Sequence, residues 1–104
     1  MTNLKPLYPF FPGWLNSSIQ EHLDTWIERG AEEMRAYIKR GEDMVEAMEC
    51  ANTIEEYDTY RREKYNTVSC VSPRGRRRWE SGEFQETVRL CHAADVAVYN
   101  FLFN

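Results

Sequence analysis

Residues 18–51 read SIQEHLDTWIERGAEEMRAYIKRGEDMVEAMECA, and the reading of this stretch decides the fold class. Ile19, Leu23, Trp26, Met34, Tyr37, Ile38, Met44, Val45 and Met48 recur at steps of three, four or their sums, the spacing that lays side chains along one face of an α-helix. Glu21, Glu28, Glu32, Arg35, Lys39, Glu42, Glu46 and Glu49 fill much of the remainder. One side is apolar and the other strongly charged. Ser18 with Glu21 makes a capping box at the start, and Asn16 and Ser17 are further N-cap residues. Pro12 and Gly13, just upstream, read as lying outside a helix interior. Gly30 and Gly41 each cost about 1 kcal/mol relative to alanine, yet the stripe keeps its phase through Gly41. The expectation is one long helix over about 18–51, with Gly41 as the place for a kink.

Beyond Ala51, the pattern breaks at Asn52 and Thr53, and Thr53 with Glu56 forms a second capping box. A helix over about 54–68 follows. Its apolar positions are mostly tyrosines (Tyr57, Tyr60, Tyr65) among Arg61, Arg62 and Lys64, so it belongs at the edge of a bundle, with rings packed and hydroxyls wet. Residues 69–82, SCVSPRGRRRWESG, read as a basic loop in which Ser72 and Pro73 cap a short turn. Ser81 and Gly82 introduce a last helix over about 83–103. Its stripe of Phe84, Val88, Cys91, Val98 and Leu102 is interrupted only by Asp95. Val96–Phe103 would also suit a strand, but no partner strand is in sight. The fold class is therefore all-α: a small helical bundle of one long and two shorter helices in a single domain.

Residues 1–14, MTNLKPLYPFFPGW, carry Pro6, Pro9 and Pro12 at every third position, which predicts an extended, polyproline-like arm. Its aromatic groups, Phe10, Phe11 and Trp14 among them, are too large to leave in water cheaply. They are expected to pack on the bundle, enter another subunit or bind a surface. The chain of 104 residues is 42% hydrophobic and 29% charged, a globular composition. No apolar run approaches the roughly 20 residues that span a bilayer, and the first residues lack a signal-peptide pattern, so a cytoplasmic location is expected. Cys50, Cys70 and Cys91 are odd in number and without CxxC spacing, which predicts reduced thiols, with Cys50 and Cys91 buried as small apolar groups.

The net charge of −4 is unevenly spread: twelve carboxylates face four basic residues between Gln20 and Asp58, whereas eight basic residues face four acidic ones between Thr59 and Arg89. Such separation serves either a partner or the chain's own packing. Catalytic patterns are lacking in the sequence. Neither His22 nor His92 belongs to HExxH or follows a glutamate by three residues, since Ile19 and Arg89 hold those places. Cys91 and His92 are adjacent, so a helix points them about 100° apart. No glycine-rich phosphate loop and no GxSxG occur. The reading is a non-enzyme without cofactor or metal. Its candidate partner-binding residues are Glu42, Glu46 and Glu49 on one helix face, Arg76, Arg77 and Arg78 with Trp79 as an anchor, and Phe10, Phe11 and Trp14 of the arm.

Residues 34–65, MRAYIKRGEDMVEAMECANTIEEYDTYRREKY, resemble the middle of bacterial phasins, the small helical proteins that coat polyhydroxyalkanoate granules. The resemblance rests on the amphipathic helix ending near a cysteine (Glu42 to Cys50), the capped break at Asn52 and Thr53, and a second charged helix ending in Tyr65. It implies adsorption to a granule or lipid surface. The residues themselves point to a non-catalytic interaction protein that binds a larger protein or nucleoprotein as a regulator or inhibitor, of the kind phages and mobile elements encode. Its acidic face could imitate a phosphate backbone, and direct nucleic-acid binding is not expected. The apolar surface of arm, stripe and last helix predicts a homodimer.

Overall fold

The computed structural model describes residues 12–104. All regular structure among them is helical: α1 (Gly13–Arg29), α2 (Ala31–Cys50), α3 (Ile54–Tyr65), α4 (Pro73–Ser81) and α5 (Glu83–Phe103). The all-α class holds, with five helices where three were expected.

The long helix expected over 18–51 is two helices, and the break is at Gly30, not Gly41. Gly30 has φ +93° and ψ 169°, and its amide donates to the Trp26 carbonyl at 2.9 Å. That backbone region is open essentially to glycine alone. An added Cβ would meet nothing within 4 Å, so the requirement is conformational and not one of space. The Gly30 carbonyl in turn accepts from Met34, which starts α2 at once. Gly41 lies inside α2.

Helix α1 also starts earlier than Ser18. Pro12 stands at its N-cap and its carbonyl accepts from the amides of Leu15 (3.0 Å) and Asn16 (3.1 Å). The Ser18–Glu21 pair is therefore not a helix start. Gly13 and Trp14, expected in an extended arm, are helical. Residues 1–11 of that arm, including Phe10 and Phe11, lie outside the described residues.

Helix α3 begins as expected: Thr53 Oγ1 accepts from the Glu56 amide (3.2 Å) while Glu56 Oε2 accepts from the Asn52 amide (2.8 Å). It ends at Tyr65, short of 68, because Asn66 turns left-handed (φ 51°, ψ 44°). The stretch 69–82 is not a loop throughout, since it contains α4. Ser72 Oγ accepts from the Gly75 amide (3.0 Å), Pro73 occupies the first turn, and Gly82 (φ +85°) closes the helix through the Trp79 carbonyl. Gly75 is needed there because a Cβ would fall 2.6 Å from the Cys70 carbonyl oxygen. Residues Val96–Phe103 are helical, as expected.

The chain forms two compact units, and the division falls within α2 and α5. In the first, which includes residues 12–39 and 91–104, Leu23, Met34 and Val98 are buried together, and Ile19, Trp26, Ile38, Tyr99 and Leu102 pack against them. In the second, Arg40–Leu90, Met48, Ile54 and Tyr57 are buried. Tyr57 stacks on Trp79 (centroids 6.0 Å) and meets Phe84 edge-on (5.8 Å).

Candidate functional site

The candidate residues of α2 and α4 all belong to the second unit. Glu42, Glu46 and Glu49 follow one another at helical steps along α2 and are all exposed. They do not stand alike. Glu49 pairs with Arg89 of α5 at 3.2 Å. Glu46 lines a shallow hollow of about 450 Å³ with Asp43, Cys50, Glu56, Tyr60 and Lys64. Lys64, the one cation in that lining, donates to Tyr60 (2.8 Å) and to Asp43 (3.3 Å), and these bonds hold its ammonium well above its ordinary range. Asp43 also accepts from the Tyr65 hydroxyl at 2.8 Å. Glu56 is committed to its cap. Glu46 keeps a charge that no hydrogen bond or ion pair engages among the described residues.

The arginine run divides in the same way. Arg76 pairs with Glu55 of α3, and Arg78 donates to Thr87 (2.7 Å) and lies 3.5 Å from Glu83. Arg77 is exposed and has no partner among the described residues, and the same holds for Arg74. Arg74 was not singled out from the sequence. It shares a face with Arg77 at a spacing of three, a signal that appears only once α4 is known to be a helix.

Trp79, expected as a partner anchor, is half-buried between Tyr57 and Phe84, and its carbonyl accepts from Gln85 at 3.2 Å. Its ring is part of the packing of the second unit. Trp14 is 56% exposed at the start of α1 in the first unit.

The turn between α3 and α4 is held by a carboxylate that sequence reading did not weigh. Asp58 is buried and accepts from the Cys70 amide (2.7 Å), the Ser69 hydroxyl (3.1 Å) and Arg62 (2.9 Å). Burial alone would raise its pKa, but these donors outweigh burial and hold it below the usual carboxylate value. Arg61 lies over the Tyr57 ring at 5.6 Å, whose burial pushes the phenol up.

The cysteines are free thiols. Cys50 is exposed, against the expectation of burial, and Cys91 is half-buried. Burial raises Cys70, assisted by its contact with Asp58, and raises Cys91, assisted by the Asp95 charge. Both stay protonated near neutral pH, the opposite of an activated nucleophile. Among the described residues no group of three or more His, Cys, Asp or Glu side chains is arranged to hold a metal, and no helix is long and apolar enough to cross a membrane. Compared with known proteins, the chain matches no family model, no curated protein and no solved structure.

Proposed function

We propose that this is a non-catalytic interaction protein that binds a larger protein or nucleoprotein through charge, as a regulator or inhibitor. The observation that carries the reading is the sorting of charged groups in the second unit. Glu49, Arg76, Arg78, Asp43 and Lys64 are committed to one another or to neighbours, whereas Glu46, Arg74 and Arg77 point outward without partners among the described residues. Exposed pairs contribute only about 0–1 kcal/mol each, so stability alone does not call for so many charges. The unpaired ones have affinity left to give.

Adsorption to a granule or lipid, the phasin-like alternative, depends on exposed apolar surface. The large apolar side chains left exposed among the described residues are Trp14, Ile27, Tyr37 and Val68, while Leu23, Met34 and Val98 are spent on the core. The two readings separate by salt. A charge-mediated complex captured from the native cell weakens as ionic strength rises past the range where the screening length is about 8 Å. Apolar adsorption resists salt and is lost when Phe10, Phe11 and Trp14 become serine. Salt-sensitive capture that survives the aromatic substitutions supports the proposal. Salt-resistant flotation on lipid or polyester, lost only in the aromatic variant, overturns it.

A further inference from the structure

Asp95 interrupts the apolar stripe of α5, and among the described residues it has neither hydrogen bond nor ion pair. It lines a hollow of about 370 Å³ in the first unit, walled by one face of α1, by Tyr37 of α2 and by α5 from Cys91 to Val98. This is the size range of small-ligand pockets. Leu15, Ile19 and Val98 supply aliphatic wall, and Trp26 and Tyr37 supply rings whose centroids lie 5.0 Å apart. A carboxylate set among such groups loses hydration and gains nothing in exchange. Burial pushes it up to about 6.

The other titratable groups of the lining favour one kind of visitor. His22 of α1 spends Nδ1 on the Ser18 carbonyl at 2.7 Å, which leaves Nε2 an acceptor in the neutral ring. Cys91, one helical turn before Asp95, stays a thiol. Tyr37 offers its ring beside Trp26. Arg29 is exposed and its guanidinium lies over Trp26 at 5.4 Å, without an ion pair to Asp95. Trp26 thus already receives one cation on its face, and Arg29 would repel a second positive charge at its end of the hollow. Among the described residues no three His, Cys, Asp or Glu side chains are grouped to hold a metal ion, His22, Cys91 and Asp95 included.

We propose that this hollow binds a small organic monoammonium ligand, its N–H donors on Asp95 and its stem against Ile19, Val98 and the Trp26 ring. The site lies in the first unit and does not depend on the charge-mediated binding of the second. A neutral analogue leaves the carboxylate unpaired, so discrimination between the two is the signature of the site.

The test uses the whole protein, titrated with phenethylammonium and hexylammonium and with the neutral alcohols of the same shape. Carboxyl and amide chemical shifts are followed at about pH 8, where Asp95 is ionised. One ammonium is expected to bind about tenfold or more tighter than its alcohol, to lower the Asp95 titration midpoint, and to lose its preference over the alcohol in Asp95→Asn. Equal binding of amine and alcohol overturns the proposal. So does an Asp95 midpoint unmoved by both amines, or an undiminished preference in Asp95→Asn. Were that variant unfolded, the midpoint in the wild-type protein decides the matter by itself.

Discussion

Asp58 accepts from the Cys70 amide, the Ser69 hydroxyl and Arg62, whereas Asp95 lines a hollow and has no hydrogen bond or ion pair among the described residues. The same functional group consequently titrates in opposite directions. Asp58 is held below the usual value, so its contribution to stability is present above the unfolded pKa of about 3.9 and is lost as pH falls through the lower folded value. Asp58→Ala leaves the Cys70 amide without its acceptor and is expected to cost about 1–3 kcal/mol at neutral pH by urea denaturation; an unchanged midpoint would refute the tether. Asp95, raised to about 6, works the other way. As pH climbs, the unfolded chain ionises first, so stability falls between about pH 4 and about pH 6 and stays lower above. Asp95→Asn should therefore raise stability at about pH 8 by up to about 3 kcal/mol and leave it unchanged at about pH 3; a variant no more stable than wild type at the higher pH contradicts the burial. Asp95 was legible in the sequence as the one charge inside an apolar stripe. The hollow beside it was not, because it joins α5 to α1 and α2 from the other end of the chain.

At the scale of the element, the break at Gly30 shows what periodicity conceals. The stripe of α1 continues into α2 nearly in phase, so counting apolar positions joined them, and the roughly 1 kcal/mol cost of a helical glycine did not distinguish Gly30 from Gly41. The deciding property is a φ of +93° at Gly30, fixed by how the two helices meet and absent from any local pattern. Gly30→Ala is expected to cost about 1–3 kcal/mol. Gly13→Ala, in the first turn of α1 with no atom within 4 Å of the new Cβ, should change stability by less than about 1 kcal/mol. Thermal melts of the two variants check the contrast, and equal effects would remove Gly30 from its role. Helix α4 carried its own signals, Ser72 as N-cap, Pro73 in the first turn and Gly82 after the end. They do not stand out in the sequence because PRGRRRWES has no apolar stripe and reads as solvated loop. The Thr53–Glu56 box, followed by a periodic segment, reads as a helix start for the complementary reason.

Across the whole molecule, the segregation of charge was plain in the sequence, but not which charges it leaves over. Arg76 meets Glu55 and Lys64 meets Asp43 across 21 residues of chain, and Arg89 meets Glu49 across 40. Such pairing is tertiary and follows from how α2, α3, α4 and α5 come together in the second unit. Much of the imbalance is thereby used internally, and the outward remainder includes Glu46, Arg74 and Arg77, along with Glu63, Glu80 and Glu86. This division makes the central claim testable with two sets of charge reversals. Reversal of the inward set, Glu49→Lys and Arg76→Glu, should lower stability by up to about 1 kcal/mol per pair and leave partner capture intact. Reversal of the outward set, Glu46→Lys with Arg74→Glu and Arg77→Glu, should leave stability within about 0.5 kcal/mol and weaken capture of the native partner by about tenfold or more. The decisive measurement is quantitative capture from native lysate by wild type and both variants, with unfolding midpoints taken on the same preparations. Capture lost in the outward variant alone is the predicted result, and capture that survives outward reversal contradicts the account.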